Sequence, residues 1–104
     1  MNERMTLAAA MQAVADSDDR YAILLQQDDI AIGFYAPRGT DPQSPHDRDE
    51  VYVIQAGSGI FELGDDEQAF ETGDVLFVPA GMPHRFRNFG EDFGAWVVFT
   101  GKTA

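Results

Sequence analysis

The sequence predicts an all-β fold, a sandwich or closed barrel, preceded by one short N-terminal helix. Three observations carry this expectation. Helical periodicity occurs once, before residue 16; from residue 21 the chain breaks into short β-branched and aromatic runs; and Gly-, Asp- and Pro-rich turns separate those runs. At 104 residues the chain has room for one hydrophobic core, so a single domain over residues 1–104 is expected, its barrel at about 21–100.

The elements follow in order. Leu7, Met11 and Val14 recur at i, i+4, i+7 and mark one face of a helix with Thr6 near its N-cap. Ala13-Val14-Ala15 has the look of a signal-peptidase site, but Glu3 cancels Arg4 and Gln12 interrupts the apolar stretch, so the amphipathic helix is the better account and a cytoplasmic location is expected. Asp16 to Asp19 reads as a solvated linker. Strands are expected at Tyr21–Leu25, Ile30–Tyr35, Val51–Ile54, Ile60–Leu63, Val75–Val78, Arg85–Phe89 and Ala95–Phe99. Between the second and third lies Pro37 to Pro45, whose three prolines forbid regular pairing. Many short strands with Gly-rich turns suit a jelly roll, in which sheet edges are protected.

Composition excludes several functions. Seven Lys and Arg against eighteen Asp and Glu give a net charge of -11, which repels nucleic acid and anionic membrane surfaces. No stretch approaches the roughly 20 apolar residues needed to span a bilayer. Cysteine is absent, so any metal must be held by nitrogen and oxygen ligands.

Chemistry concentrates around the two histidines. His46 stands four residues before Glu50 in Ser44-Pro45-His46-Asp47-Arg48-Asp49-Glu50. Ser44 and Pro45 could begin a helix, but Val51-Tyr52-Val53-Ile54 ending at Gly57 reads as strand. Four extended residues would hold His46 and Glu50 roughly 13 Å apart, so His46 must come from a bend or bulge to share a ligand with Glu50. Even spacing places Glu50 with Tyr52 and Ile54 on one face, and a carboxylate on an apolar face wants a cation. Beyond the turn Pro79-Ala80-Gly81-Met82-Pro83, alternation puts His84, Phe86 and Asn88 inward and Arg85 and Arg87 outward. An inward imidazole is either hydrogen-bonded in the core or bound to metal. Tyr35, Tyr52, Phe86 and Trp96 are expected to fill the core, and Asp47-Arg48-Asp49 to be a solvated turn. Arg38 could clamp a carboxylate, although a surface position suits it as well.

These motifs resemble those of the cupins. Gly73, Pro79, Gly81, His84 and Asn88 match the family's second motif, G-x5-P-x-G-x2-H-x3-N, in full. The neighbourhood of Gly39, with His46, Glu50 and Gly57, matches the first, G-x5-H-x-H-x3,4-E-x6-G, except that Ser44 replaces its first histidine. The matches span residues 39 to 88. The resemblance implies a double-stranded β-helix (jelly-roll) barrel and one divalent metal ion (Fe, Mn, Ni, Co or Zn) on His46, Glu50 and His84, with Gln43, Asp47 or Asp49 as candidate substitutes for the missing ligand. A 2-His-1-carboxylate set leaves coordination positions open. The implied function is a metal-dependent dioxygenase, isomerase or lyase acting on a small organic acid, phenol or sugar, with Tyr52 a candidate catalytic residue. The alternative function is a barrel that binds or senses a small ligand without catalysis, and a separate reading keeps the cupin scaffold with its metal binding lost. Small cupins commonly pair, and Val75 to Val78, apolar on both sides, suits a homodimer contact.

Overall fold

The computed structural model describes residues 4–42 and 44–101. One helix, α1 (Leu7–Ala15), precedes eight strands: β1 (Tyr21–Gln27), β2 (Ile30–Tyr35), β3 (Asp49–Ala56), β4 (Gly59–Leu63), β5 (Asp66–Phe70), β6 (Val75–Val78), β7 (His84–Arg87) and β8 (Gly94–Thr100). The strands form two antiparallel sheets, one ordered β1-β2-β8-β3-β6 and one ordered β5-β4-β7.

Register explains the interior. Across the larger sheet, Ala31 pairs with Phe99, Phe99 with Glu50, and Glu50 with Val78. The next inward row joins Val97, Tyr52 and Leu76. The smaller sheet answers with Leu63 opposite His84 and Phe61 opposite Phe86. Because side chains alternate along a strand, these registers send Glu50 and Tyr52 inward from one sheet and His84 and Phe86 inward from the other. Phe86 is wholly buried, with the rings of Tyr52, Phe61, Phe70 and Phe93 centred 4.9, 4.9, 5.3 and 4.8 Å from its own. Each such side chain contributes on the order of 1.5–3 kcal/mol by leaving water.

The expected strand β4 continues into a hairpin that was not expected. Leu63 pairs with Asp66 across Gly64-Asp65, and Gly64 takes a φ of 58° that glycine adopts without steric cost. β5 is not marked by composition, because Asp66, Glu67 and Gln68 lack β propensity. The helix also differs in its facing. Thr6 caps it as expected, accepting from the Ala9 amide at 3.1 Å, but Ala10 and Val14 are the buried residues while Leu7 and Met11 are exposed. Small Ala10 lets the helix lie close to the outer side of β1 and β2, over Phe34 and Ala36, with Ala22, Leu24 and Trp96 against the same cluster. Trp96 therefore packs under the helix rather than inside the barrel. Among the described residues no helix is long and apolar enough to cross a membrane. β6 is an edge strand whose Val75 and Phe77 face outward, 64% and 55% exposed.

Candidate metal centre

Glu50 and His84 are delivered by facing strands; His46 comes from the loop. The chain bends at Asp47 and Arg48 immediately before β3 begins, which removes the separation that an extended chain would impose. Two hydrogen bonds fix that loop against the β6–β7 turn: the Gly81 amide donates to the His46 carbonyl at 2.6 Å, and the Ala80 amide donates to Asp49 Oδ1 at 2.8 Å. Gly81 has a φ of 78° and open space where a Cβ would stand, so glycine serves the turn conformation there and not a close approach. The two sequence motifs are thus physically clipped together.

One ligand atom from each of His46, Glu50 and His84 lies within 4.8 Å of the other two. Glu50 Oε1 is 3.0 Å from His84 Nε2 and 4.0 Å from His46 Nε2. Two ligands at about 2.1 Å from one ion stand roughly 3–3.5 Å apart, so the set needs only a small closure. His46 can supply it, because its side chain is 32% exposed while those of Glu50 and His84 are buried.

The proton positions say more than the distances. His84 Nδ1 lies 2.9 Å from the Met82 carbonyl, which can only accept, so Nδ1 carries a proton and Nε2 presents its lone pair when the ring is neutral. That lone pair faces Glu50. With the His84 ring neutral, neither Glu50 oxygen receives a hydrogen bond, although the residue is 1% exposed; a protonated Nε2, 3.0 Å away, would donate to it. A buried carboxylate confronting an imidazole lone pair is unfavourable unless a cation stands between them, and that cation can be a proton or a metal ion. Burial opposes charging His84, but the Glu50 carboxylate, the Met82 carbonyl and the more distant Asp41 outweigh it and hold the imidazole above its ordinary pKa. Tyr52 completes the inner wall, its hydroxyl 3.1 Å from His84 Nε2.

Several other residues take places that sequence reasoning did not assign. Asp41, inside the proline-rich segment, is 4% exposed. It accepts from the Tyr35 hydroxyl at 2.5 Å and from the Phe86 amide at 2.8 Å, tying β2 to the free edge of β7 beside the site. Burial, then the bond to Asp41, pushes the Tyr35 hydroxyl well above its usual pKa. Arg48 is half-buried, not a solvated turn residue: Nε donates to the Gly101 carbonyl at 3.1 Å and Nη2 to the Asp29 carbonyl at 2.6 Å, with the guanidinium carbon 5.9 Å above the Phe99 ring. A cavity of about 610 Å³ opens beside the triad, lined by Tyr21, Ser44, His46, Arg48 and Phe99 among others. Burial first, then the charges of Glu50 and Asp19, raise the Tyr21 hydroxyl's pKa, and Arg48 partly opposes them.

Of the candidate substitute ligands, Asp49 is occupied by the Ala80 amide, Asp47 is exposed at the cavity wall, and Gln43 lies outside the described residues. Ser44 is exposed and lines the cavity. Arg38 is exposed. On β7, Arg85 is exposed, while Arg87 reaches Glu62 at 2.6 Å and also pairs with Glu67.

The fold and site together define a small double-sheet antiparallel barrel with two histidines and a glutamate converging inside it. The chain belongs to the cupin domain family, Cupin_2, whose model matches residues 32–100. Its crystal-structure neighbours include the DMSP lyase DddQ of Ruegeria pomeroyi, with a TM-score of 0.68 and 25% identity over 95% of this chain and 55% of that one. An uncharacterized protein of Streptomyces coelicolor, SCO3923, is 35% identical over 88 residues, covering 83% of this chain and 84% of that protein. Acireductone dioxygenase of Geobacillus thermodenitrificans is 49% identical over 47 residues, which is 39% of this chain and 26% of the enzyme's length.

Proposed function

We propose that this cupin binds one divalent metal ion on His46, Glu50 and His84 and uses it to act on a small organic acid, phenol or sugar admitted through the adjoining cavity. The observation that carries the reading is Glu50, a buried carboxylate with no donor but a protonated His84, aimed at an imidazole nitrogen whose partner nitrogen is already committed to a backbone carbonyl. That pattern, in which the second ring nitrogen is anchored and the first is presented, is how proteins orient a metal-binding histidine. The donor set of two imidazoles and a carboxylate fits Fe(II), Mn, Ni, Co or Zn and leaves positions open.

A bound ion would supply Lewis acidity or, for a redox-active metal, activation of dioxygen. The chain's own contribution is positional. Met82 fixes the His84 tautomer, the Gly81 amide holds the His46 loop, and the apolar shell of Phe61, Phe86 and Phe99 restricts water. Tyr52 keeps its hydroxyl at the ligand atoms, where it can hold or pass a proton. The relatives that are dioxygenases or lyases by name support an enzymatic reading, while a barrel that only binds its ligand would use the same cavity.

Purification without chelator, loading with each of the five metals, and measurement of oxygen uptake and product formation against small acids, phenols, diols and sugars test the proposal. Turnover that requires metal and falls in the Tyr52→Phe variant is expected. Ligand binding with no turnover on any metal would replace the enzyme reading by the binding one.

A further inference from the structure

The cavity beside the triad holds a cation, Arg48, whose hydrogen bonds among the described residues go to neutral groups, while Asp19 and Asp47 also line its wall. Among the described residues, no carboxylate pairs with Arg48; its two bonds go to the neutral carbonyls of Gly101 and Asp29, and Nη1 makes none. Those carbonyls lock the guanidinium in place, so binding an anion there costs little side-chain entropy. Tyr21 lines the same cavity, its ring centred 6.4 Å from that of Phe99. The acids on the cavity wall carry charge into it but make no ion pair with Arg48 among the described residues. Asp19 is engaged by the Ser17 hydroxyl and the Tyr21 amide, and Asp47 stands exposed in water. Arg48 and His46 both pack on the Phe99 ring, at 5.9 Å and 5.1 Å, so the cation and the exposed member of the triad lie within the length of one small molecule.

We infer that Arg48 and the Tyr21 hydroxyl form an anchoring subsite for the carboxylate of a small organic acid, whose remainder extends over Phe99 towards His46. The inference rests on the proposed function for its catalytic meaning, but the anchor itself needs no metal. One guanidinium and one phenol match a singly charged planar carboxylate, and they would recognise it in a protein whose net charge of -11 discourages anions elsewhere. The residue is specific in a way a surface arginine is not, because its geometry is set before the ligand arrives.

The test uses metal-free protein in chelator, titrated with benzoate and propionate and, separately, with benzamide and propionamide, while amide NMR signals are followed. The acids should produce saturable shifts centred on Tyr21, Arg48, Phe99 and Gly101, and the neutral amides should not. Arg48→Met should weaken the acids about tenfold or more, as expected for a lost charge-assisted contact, and Tyr21→Phe by roughly threefold. Arg48→Lys should fall between wild type and Arg48→Met, since a point charge cannot keep both carbonyls and the ligand. Should Arg48→Met fail to fold, the acid-to-amide discrimination of the wild-type protein decides. Equal binding of acids and amides, or wild-type affinity in Arg48→Met, overturns the subsite. Repeating the titration with Zn separates this from the metal reading. Acid binding in chelator that Zn neither tightens nor weakens leaves the subsite standing and counts against the metal centre, whereas normal Zn binding with no acid binding in either condition removes the subsite alone.

Discussion

Replacing Glu50 by glutamine should stabilise the metal-free protein and abolish its response to metal. Glutamine has the same shape, removes a buried charge, and brings an amide 3.0 Å from His84 Nε2 that can share that acceptor with the Tyr52 hydroxyl. Burying an unpaired carboxylate costs several kcal/mol. His84 offsets part of this when protonated, so the benefit is clearest at about pH 8.5, where more of the imidazole is neutral. A gain of about 2 kcal/mol is expected there, which for a chain of this size raises Tm by about 8 °C or more. Metal reverses the order: at a hundredfold excess over Kd it adds about 2.7 kcal/mol to the wild type and nothing to a variant lacking the ligand. Thermal melts in chelator and in Zn should therefore cross, with Glu50→Gln the more stable without metal and the less responsive with it. A variant less stable than wild type in chelator would refute the reasoning, because it would mean that Glu50 is already satisfied.

The pH dependence follows from His84, whose folded-state pKa is raised. Its contribution to the metal-free protein is fully present below the unfolded value near about 6.5 and is lost as pH rises through the folded value, while the metal increment grows over the same window because proton and metal compete for Nε2; Tm against pH with and without Zn should show opposite slopes there. Ser44→His adds an imidazole at the cavity wall beside His46, and metal affinity measured by competition with a chelator should rise about tenfold or more while turnover falls, since a closed coordination position is lost to substrate. Arg85→Gln combined with Arg87→Gln should leave metal content unchanged, because both side chains leave the barrel on the opposite face from His84; the lost pairs with Glu62 and Glu67 should show only as a small fall in Tm that shrinks in high salt.

Much of the barrel was legible because its strands obey a period of two. Glu50, Tyr52 and Ile54 on β3, and His84 and Phe86 on β7, face inward as alternation required, whereas Asn88 does not, because β7 ends at Arg87 and Asn88 turns away, exposed, with a φ of 59°; the Pro79–Met82 turn between β6 and β7 follows from residues that cannot continue a strand. The bend at Asp47 and Arg48 was deducible from distance alone, since an extended chain could not bring His46 to Glu50. What escaped depended on partners remote in sequence. Asp41 matters because the Phe86 amide, 45 residues away, needs an acceptor at the sheet edge, and Arg48 because the carbonyls of Asp29 and Gly101 close around it; no local pattern encodes either. β5 carried a usable signal, the two-residue Gly64-Asp65 loop, which outweighs the poor strand propensity that follows it. The buried helix face differs from the apolar stripe because hydrophobic periodicity weights Leu7 and Met11 by apolarity, whereas close packing on a sheet selects the small Ala10.

If His46, Glu50 and His84 share one ion, removing both histidines should remove it. Wild-type protein and the His46→Ala/His84→Ala double variant, each stripped with chelator and then offered Fe(II), Mn, Ni, Co and Zn at neutral pH, can be compared by elemental analysis after removal of free metal. Close to one equivalent of at least one metal is expected in the wild type, and background in the double variant. Wild-type protein that retains none of the five above the level of the double variant would contradict the shared site.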